Sequence, residues 1–156
     1  MDEDFVLGVI ASEGSFHAKM SKTQSNAGYT ISPVLEIHMN SRERGLLDEI
    51  SNILPVDPSI HERSDSVTLY VGSRSDVSDV IEWAERQNVS PFDNSVKAEN
   101  MRKLKKIIQM LNDGKHRSVE GVMEIAEVRN SMNDAGSDSR VELSEVREHA
   151  EAHIEG

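Results

Sequence analysis

Two hydrophobic periods succeed one another along the chain in an orderly way. Over residues 2–13 the apolar side chains Phe5, Val6, Leu7, Val9 and Ile10 crowd together, which predicts a short apolar helix. Phe16, Ala18 and Met20 then alternate with Ser15, His17, Lys19 and Ser21, the period of a half-buried strand. A turn at 24–28 leads to a second strand over 29–39, with Leu35, Ile37 and Met39 on one face and Glu36 and His38 on the other. Pro33 marks an edge or a bulge in that strand. Ser41 is the expected cap of a helix whose Leu46, Leu47, Ile50, Ile53 and Leu54 form one stripe, ended by Pro55 and Pro58.

A second hairpin follows over 59–63 and 66–71, turning at Ser64 and Asp65, with Val67, Leu69 and Val71 alternating against Thr68 and Tyr70. Ser75 is the expected cap of the next helix, which carries Val80, Ile81 and Trp83. A longer helix with a basic side spans 97–111, Asp113 and Gly114 break it, and Ser118 caps another helix bearing Val122, Ile125, Ala126 and Met132. The order is α, β, β, α, β, β, α, α, α, with no internal repeat, an α+β arrangement. Residues 133–139 have linker composition, and 141–154 fit a short acidic helix with a weak Leu143, Val146, Ala150 and Ile154 stripe. The expected organisation is a domain over 1–133 and an acidic appendage over 134–156, partly disordered or a short helix.

Composition narrows the function classes. The 156 residues are one domain's length, and no apolar run is long enough to span a bilayer, so no membrane partner is expected. Cysteine is missing, which excludes disulfides and thiolate metal sites and fits a cytoplasmic location. The net charge of −11 stands, on its face, against a polyanionic partner. Five of those excess charges belong to 134–156, where Arg140 and Arg147 meet seven acidic residues. Much of the remaining acid falls on expected helix faces, among them Glu43, Asp48, Glu82, Glu85, Glu120 and Glu124, which leaves the strands free to be locally basic. A salt-adapted, halophilic source is a second explanation of the same surplus.

The first helix ends on a carboxylate, Glu13, although a helix C-terminus favours cations. A solvated helix end, or an ordinary turn stopped by Gly14, would account for it without chemistry. Gly8 and Ser12, four apart, put two small residues on one face, a spacing that ordinarily serves tight core packing.

The stretch Val6-Leu7-Gly8-Val9-Ile10-Ala11-Ser12-Glu13-Gly14, continued by Ser15 and Phe16, resembles the signature of the LAGLIDADG homing endonucleases. Residues 35–47, the Lys97-Ala98-Glu99-Asn100 helix start and the 118–133 segment extend the resemblance over nearly all of 5–133. The resemblance implies an αββαββα fold with a four-stranded, saddle-shaped antiparallel sheet and additional C-terminal helices. It implies a site-specific nuclease that hydrolyses phosphodiester bonds of double-stranded DNA. One signature implies a homodimer through the 6–13 helix, with Gly8 and Ser12 in the interface and two Glu13 carboxylates meeting at its end. Mg2+ held at Glu13 and Gly14 is the implied cofactor, because paired carboxylates repel unless a cation lies between them. Lys97 matches the family's catalytic-pocket lysine, and Arg42 is a second candidate for that pocket.

By strand alternation, the DNA-facing set the resemblance implies is Ser15, His17, Lys19, Ser21, Thr30, Ser32, Glu36, His38, His61, Arg63, Thr68 and Tyr70. Met39 stands where several relatives carry a polar residue that positions water, and Ala11 replaces the first acidic residue of the signature. A cleavage-deficient DNA-binding protein of repressor type, an RNA-splicing maturase and an α/β interaction module are therefore the alternatives. Intron or intein mobility is the setting the family implies.

Overall fold

The computed structural model describes residues 1–132 and 140–155, so the 133–139 stretch read as a linker lies outside the described residues. Helix α1 (Glu3–Glu13) runs directly into strand β1 (Gly14–Lys22), which pairs with β2 (Tyr29–Asn40). Helix α2 (Arg44–Ile53) leads to β3 (Ser59–Glu62) and β4 (Ser66–Val71). Helices α3 (Arg74–Gln87), α4 (Ser90–Asp93), α5 (Val96–Asn112), α6 (Val119–Asn130) and α7 (Leu143–Glu155) complete the chain. The four strands form one antiparallel sheet, as the resemblance implies, in the order β1, β2, β4, β3.

Capping differs from the sequence expectation at two helices. Asn40, not Ser41, accepts the Arg42 N–H at 3.0 Å and opens a 3-10 turn over Ser41–Glu43, after which α2 starts at Arg44 with no side-chain cap. Ser73, not Ser75, caps α3 by accepting the Asp76 N–H at 3.0 Å. Both regions contain two cap-forming residues close together, and the one whose backbone stays extended takes the role. Ser118 caps α6 as expected, accepting the Gly121 N–H at 3.1 Å.

One face of the sheet packs on the helices. Phe16, Leu35, Ile37, Val67, Leu69 and Val71 meet Leu7 and Ile10 of α1, Leu47 and Ile50 of α2, Val80 and Ile81 of α3, and Leu104 and Ile107 of α5. Removing such side chains from water stabilises by about 1.5–3 kcal/mol each, so this core fixes the register of the opposite, polar face.

Pro33 is accommodated where β2 runs past the end of β4, whose last partner is Leu35. Its register partner Ala18 directs its carbonyl to the free edge of β1, where Arg129 of α6 donates through Nε at 2.6 Å. The structure thus agrees with the reading of Pro33 as a local edge.

A smaller core lies beneath α7. Val146 and Ala150 bury against Ala27, Tyr29, Val122, Met123 and Ala126. Asn130 holds the approach to α7 by exchanging two hydrogen bonds with the Val141 backbone, at 2.8 and 2.9 Å. His149 Nε2 hydrogen-bonds the Gly28 carbonyl at 2.8 Å, and Arg147 pairs with Glu120 at 2.9 Å.

Candidate functional site

The junction of α1 and β1 sets where Glu13 projects. Gly14 does not serve as a left-handed helix stop, because its φ of −82° and ψ of 162° are extended. It is required for a different reason: a Cβ there would fall 2.7 Å from the Ile10 carbonyl oxygen, so only glycine lets the strand leave the helix so abruptly. Glu13 is consequently held at the end of the first helix, exposed, with no ion pair to any described residue. No basic residue occupies the last turn of α1 to offset its dipole, so the carboxylate and the terminal carbonyls add to one negative end.

Helix α1 buries Val6, Leu7, Val9 and Ile10, while Glu3, Asp4, Phe5, Gly8, Ser12 and Glu13 are exposed. Met1 and Phe5 are about half exposed there, and Gly8 and Ser12 continue the same stripe. A Cβ at Gly8 would meet nothing within 4 Å, so the small pair does not serve packing within this chain. Ser12 turns its hydroxyl inward along the helix, donating to the Gly8 and Val9 carbonyls at 3.1 and 3.2 Å, and so presents a smooth surface.

Lys97 is half-buried in the first turn of α5, a helix that packs against both α1 and β1. Arg42 is exposed in the 3-10 turn that follows β2. Met39 packs against the core beside its partner Val67, on the side of β2 opposite Glu36 and His38.

The strand register gathers the polar set on one face. Ser15 lies opposite Glu36, Lys19 opposite Ser32, Ser21 opposite Thr30, His38 opposite Thr68, and Tyr70 opposite both Glu36 and Ser59. Several of these side chains touch. His17 Nε2 is 3.6 Å from Glu36 Oε2, His38 Nδ1 is 2.7 Å from Thr68 Oγ1, and the Lys19 ammonium sits 5.1 Å from the Tyr70 ring centre. His61 meets the same ring edge-on at 6.2 Å. Glu36, His38, His61, Arg63, Asp65, Ser66 and Thr68 line a groove of about 530 Å³.

Burial holds the His17 pKa below the ordinary histidine value, against the pull of Glu36; Lys19 and Arg129 push the same way as burial. Two members of this region escaped sequence reasoning. Val34 lies opposite His17 and is fully buried, an apolar residue in a polar row. Arg129, on α6, secures the β1 edge from a distance that no local pattern reveals.

A polar sheet face, a helix ending in a carboxylate with no ion pair to a described residue and an exposed small-residue stripe on that helix belong to one α+β domain. The LAGLIDADG endonuclease family model matches residues 6–91, and the chain belongs to that family. Among solved structures it is similar to the homing endonuclease I-TnaI, at 21% identity and TM-score 0.79 over 98% of each chain. It is similar to the archaeal intron-encoded homing endonuclease I-Vdi141I, solved with DNA, at 20% identity and TM-score 0.82 over 99% of this chain and 100% of that one. It also matches I-GzeII in complex with its DNA target at 29% identity and TM-score 0.77, covering 89% of this chain but 47% of that one, so the chain spans about half of I-GzeII. No curated protein sequence matches. The fold is that of the LAGLIDADG homing endonucleases. No described helix is long and apolar enough to cross a membrane.

Proposed function

We propose that the protein is a site-specific endonuclease that binds double-stranded DNA across its polar sheet face and cuts both strands as a homodimer. The observation that carries this reading is Glu13, an exposed carboxylate with no ion pair to a described residue, at the end of a helix whose small-residue stripe is exposed among the described residues. Docking two α1 helices along Gly8 and Ser12 covers that stripe and brings two Glu13 side chains together on a twofold axis. The similarity to I-TnaI over its full length and to half of I-GzeII supports one signature helix per chain and two per active assembly.

The donors fit a hard divalent cation. Glu13 offers carboxylate oxygen and Gly14 backbone oxygen, which are ligands of the kind Mg2+ takes. Among the described residues, no cluster of three or more His, Cys, Asp or Glu offers a competing site within one protomer. Bound there, Mg2+ would stabilise charge on the attacking and leaving oxygens of the phosphodiester. Glu13 would hold the ion, Gly14 would keep Glu13 in place, and the Lys97 ammonium, with Arg42 as a second cation, would face the phosphate as negative charge builds. The sheet residues set out by the register would read base edges and phosphates in the major groove.

The acidic helix side belongs to the same reading, as an adaptation to a salt-rich cytoplasm. Thermal melts should rise across a KCl series into the molar range, and unchanged melts would remove the halophilic part alone. The nuclease is tested by incubating the protein and Mg2+ with a randomised duplex library and sequencing what is bound and what is cut. Cut sites with twofold symmetry, lost on chelation, are expected. Binding without scission would leave the repressor-type reading in its place.

A further inference from the structure

We propose that His149 of α7 is a positioning residue: it clamps the turn joining β1 to β2, so that this turn meets the part of the DNA site farthest from the two Glu13 carboxylates. The bearing of the clamp on DNA rests on the DNA-binding reading above.

Strand pairing alone does not shape this turn. The ladder between β1 and β2 stops at the pair Lys22 and Tyr29. Beyond it, Asn26 and Gly28 take left-handed backbones, with φ of 54° and 81°, a conformation that is strained for most residues and only one of many for glycine. Two backbone bonds close the turn, from the Thr23 N–H to the Gly28 carbonyl at 2.9 Å and from the Gly28 N–H to the Ser25 carbonyl at 3.0 Å. The same Gly28 carbonyl accepts a second bond from His149 Nε2 at 2.8 Å, so both of its lone pairs are used and the ring carries its proton on Nε2. The fit leaves no slack. A Cβ on Gly28 would fall 2.8 Å from His149 Cδ2 and 2.9 Å from both His149 Nε2 and His153 Nδ1. His149 is itself held between two rings, Tyr29 edge-on at 4.9 Å and His153 at 4.4 Å. Val146 and Ala150 seal the same helix against Ala27 and Tyr29.

The side from which the turn is gripped gives the clamp its use. Tyr29 and Ile31 belong to the buried row of β2, whereas Ser21 and Thr30, the last pair of the polar face, are exposed. Gln24, Ser25 and Asn26 at the tip are exposed as well. Helix α7 therefore holds the turn from the helical side and leaves its amide and hydroxyl groups accessible, the types that contact phosphates and base edges. Strand β1 has nine residues. At ~3.3 Å per residue it carries the chain about 26 Å from the end of α1. That distance is about 8 base pairs at ~3.4 Å each. A loose turn would have to be ordered when DNA binds, and α7 orders it beforehand.

The test compares the parental protein with His149→Gln and His149→Phe. Glutamine keeps an N–H donor near the place of Nε2, and phenylalanine keeps a ring beside Tyr29 but has no donor. Each protein is incubated with a randomised duplex library, and base preference in the bound fraction is read position by position. His149→Phe should lose about tenfold in preference at positions about 8 base pairs from the centre of the site, His149→Gln should retain most of it, and the central positions should be unchanged in both. Exchange of the Gly28 amide, whose bond to Ser25 closes the turn, is measured without DNA and should quicken in His149→Phe alone. Should His149→Phe fail to fold, His149→Asn takes its place with the same expectations, its amide being too short to reach Gly28. Outer preference and Gly28 exchange that both match the parental protein overturn the clamp while leaving the DNA-binding reading standing. An equal loss at every position marks general destabilisation and overturns it too. Tighter binding by His149→Phe would make α7 an acidic shield against DNA, which is also contrary to the proposal. A parental protein that binds no duplex removes the proposed function and the clamp's role in it together.

Discussion

Several cations on the helical side of the molecule are paired with acid, whereas Lys19 and Arg63 on its polar sheet face have no ion pair with a described residue. Arg86 pairs with Glu82, Lys103 with Glu99, Lys105 with Glu85, Lys115 with Glu124 and Arg147 with both Glu120 and Glu151. On the sheet, Lys19 rests over the Tyr70 ring, and neither it nor Arg63 makes an ion pair with a described residue. The net charge of −11 is therefore not spread evenly. Acid neutralises several helix-borne cations, although Arg74, Arg102 and Lys106 form no ion pair with a described residue, whereas strand-borne Lys19 and Arg63 keep their charge available. A bulk charge that argues against a polyanionic partner is compatible with one once the charges are sorted by surface.

The comparison is broken most severely at the carboxylate between the two regions. Glu13→Gln keeps the side chain's size and removes the charge that would hold a cation. Strand scission should fall by about a thousandfold or more, since a bound metal contributes several kcal/mol of charge stabilisation. DNA binding should persist and even tighten, because a negative charge facing phosphate is gone. Lys97→Met should cost less, about a hundredfold, through weaker transition-state stabilisation. Single-turnover cleavage measured beside a mobility shift separates the two effects; a Glu13→Gln protein that cuts at the parental rate would sink the assignment.

The α1 stripe comes next. Gly8→Leu places its side chain in open space within one protomer and replaces a helix-interior glycine, so the isolated chain should be stabilised by about 0.5–1 kcal/mol. The same change should hold two α1 backbones apart. Analytical ultracentrifugation should show monomer with an unimpaired or raised melting temperature. A persisting dimer would place the interface elsewhere.

A direct test of the two cation classes follows. Lys19→Ala and Arg63→Ala should each weaken binding severalfold and make the salt dependence shallower by about 0.9. Lys105→Ala and Lys115→Ala should leave both almost unchanged, since their partners Glu85 and Glu124 already neutralise them. Equal losses from both sets would show that the sorting of charge has no bearing on DNA.

Much of this was legible in sequence because strands advertise themselves by alternation. The register that joins Ser15 to Glu36 and His61 to Thr68 follows from keeping Phe16, Leu35 and Leu69 inside. Local choices between equivalent residues were not legible: Asn40 and Ser73 cap where Ser41 and Ser75 were expected, and the short α4 around Pro91 has no period to announce it. Nor could Gly14 be read correctly, since a helix stop and a close approach both call for glycine, and only the distance to the Ile10 carbonyl decides. The docking of α7 depends on His149 meeting Gly28, residues 121 apart, and Arg129 reaching Ala18 is separated by 111. Gly8 is the instructive case for function. Its spacing with Ser12 fits a packed core or an interface equally well, and the empty space beside it settles only that the core of this chain is not the answer.

The smallest effect belongs to His17, which lies between the two regions because burial and Arg129 act on it from the helical side and Glu36 from the sheet. Its folded pKa lies below the unfolded value of about 6.5. The neutral ring is thus favoured by folding, and that contribution is complete above the unfolded pKa and lost as pH falls through the folded one. Thermal stability of the free protein should decline between neutral pH and about pH 5, and His17→Gln should flatten part of the decline. DNA should act in the opposite sense, because phosphate near the ring favours its protonated form. Affinity should therefore rise as pH falls below neutrality, by at most about tenfold for each pKa unit the ring gains on binding. Isothermal titrations in buffers of different ionisation heat would show proton uptake in the parental protein and less in His17→Gln. Identical proton uptake in the two would place His17 away from the phosphates and assign its low pKa to packing alone.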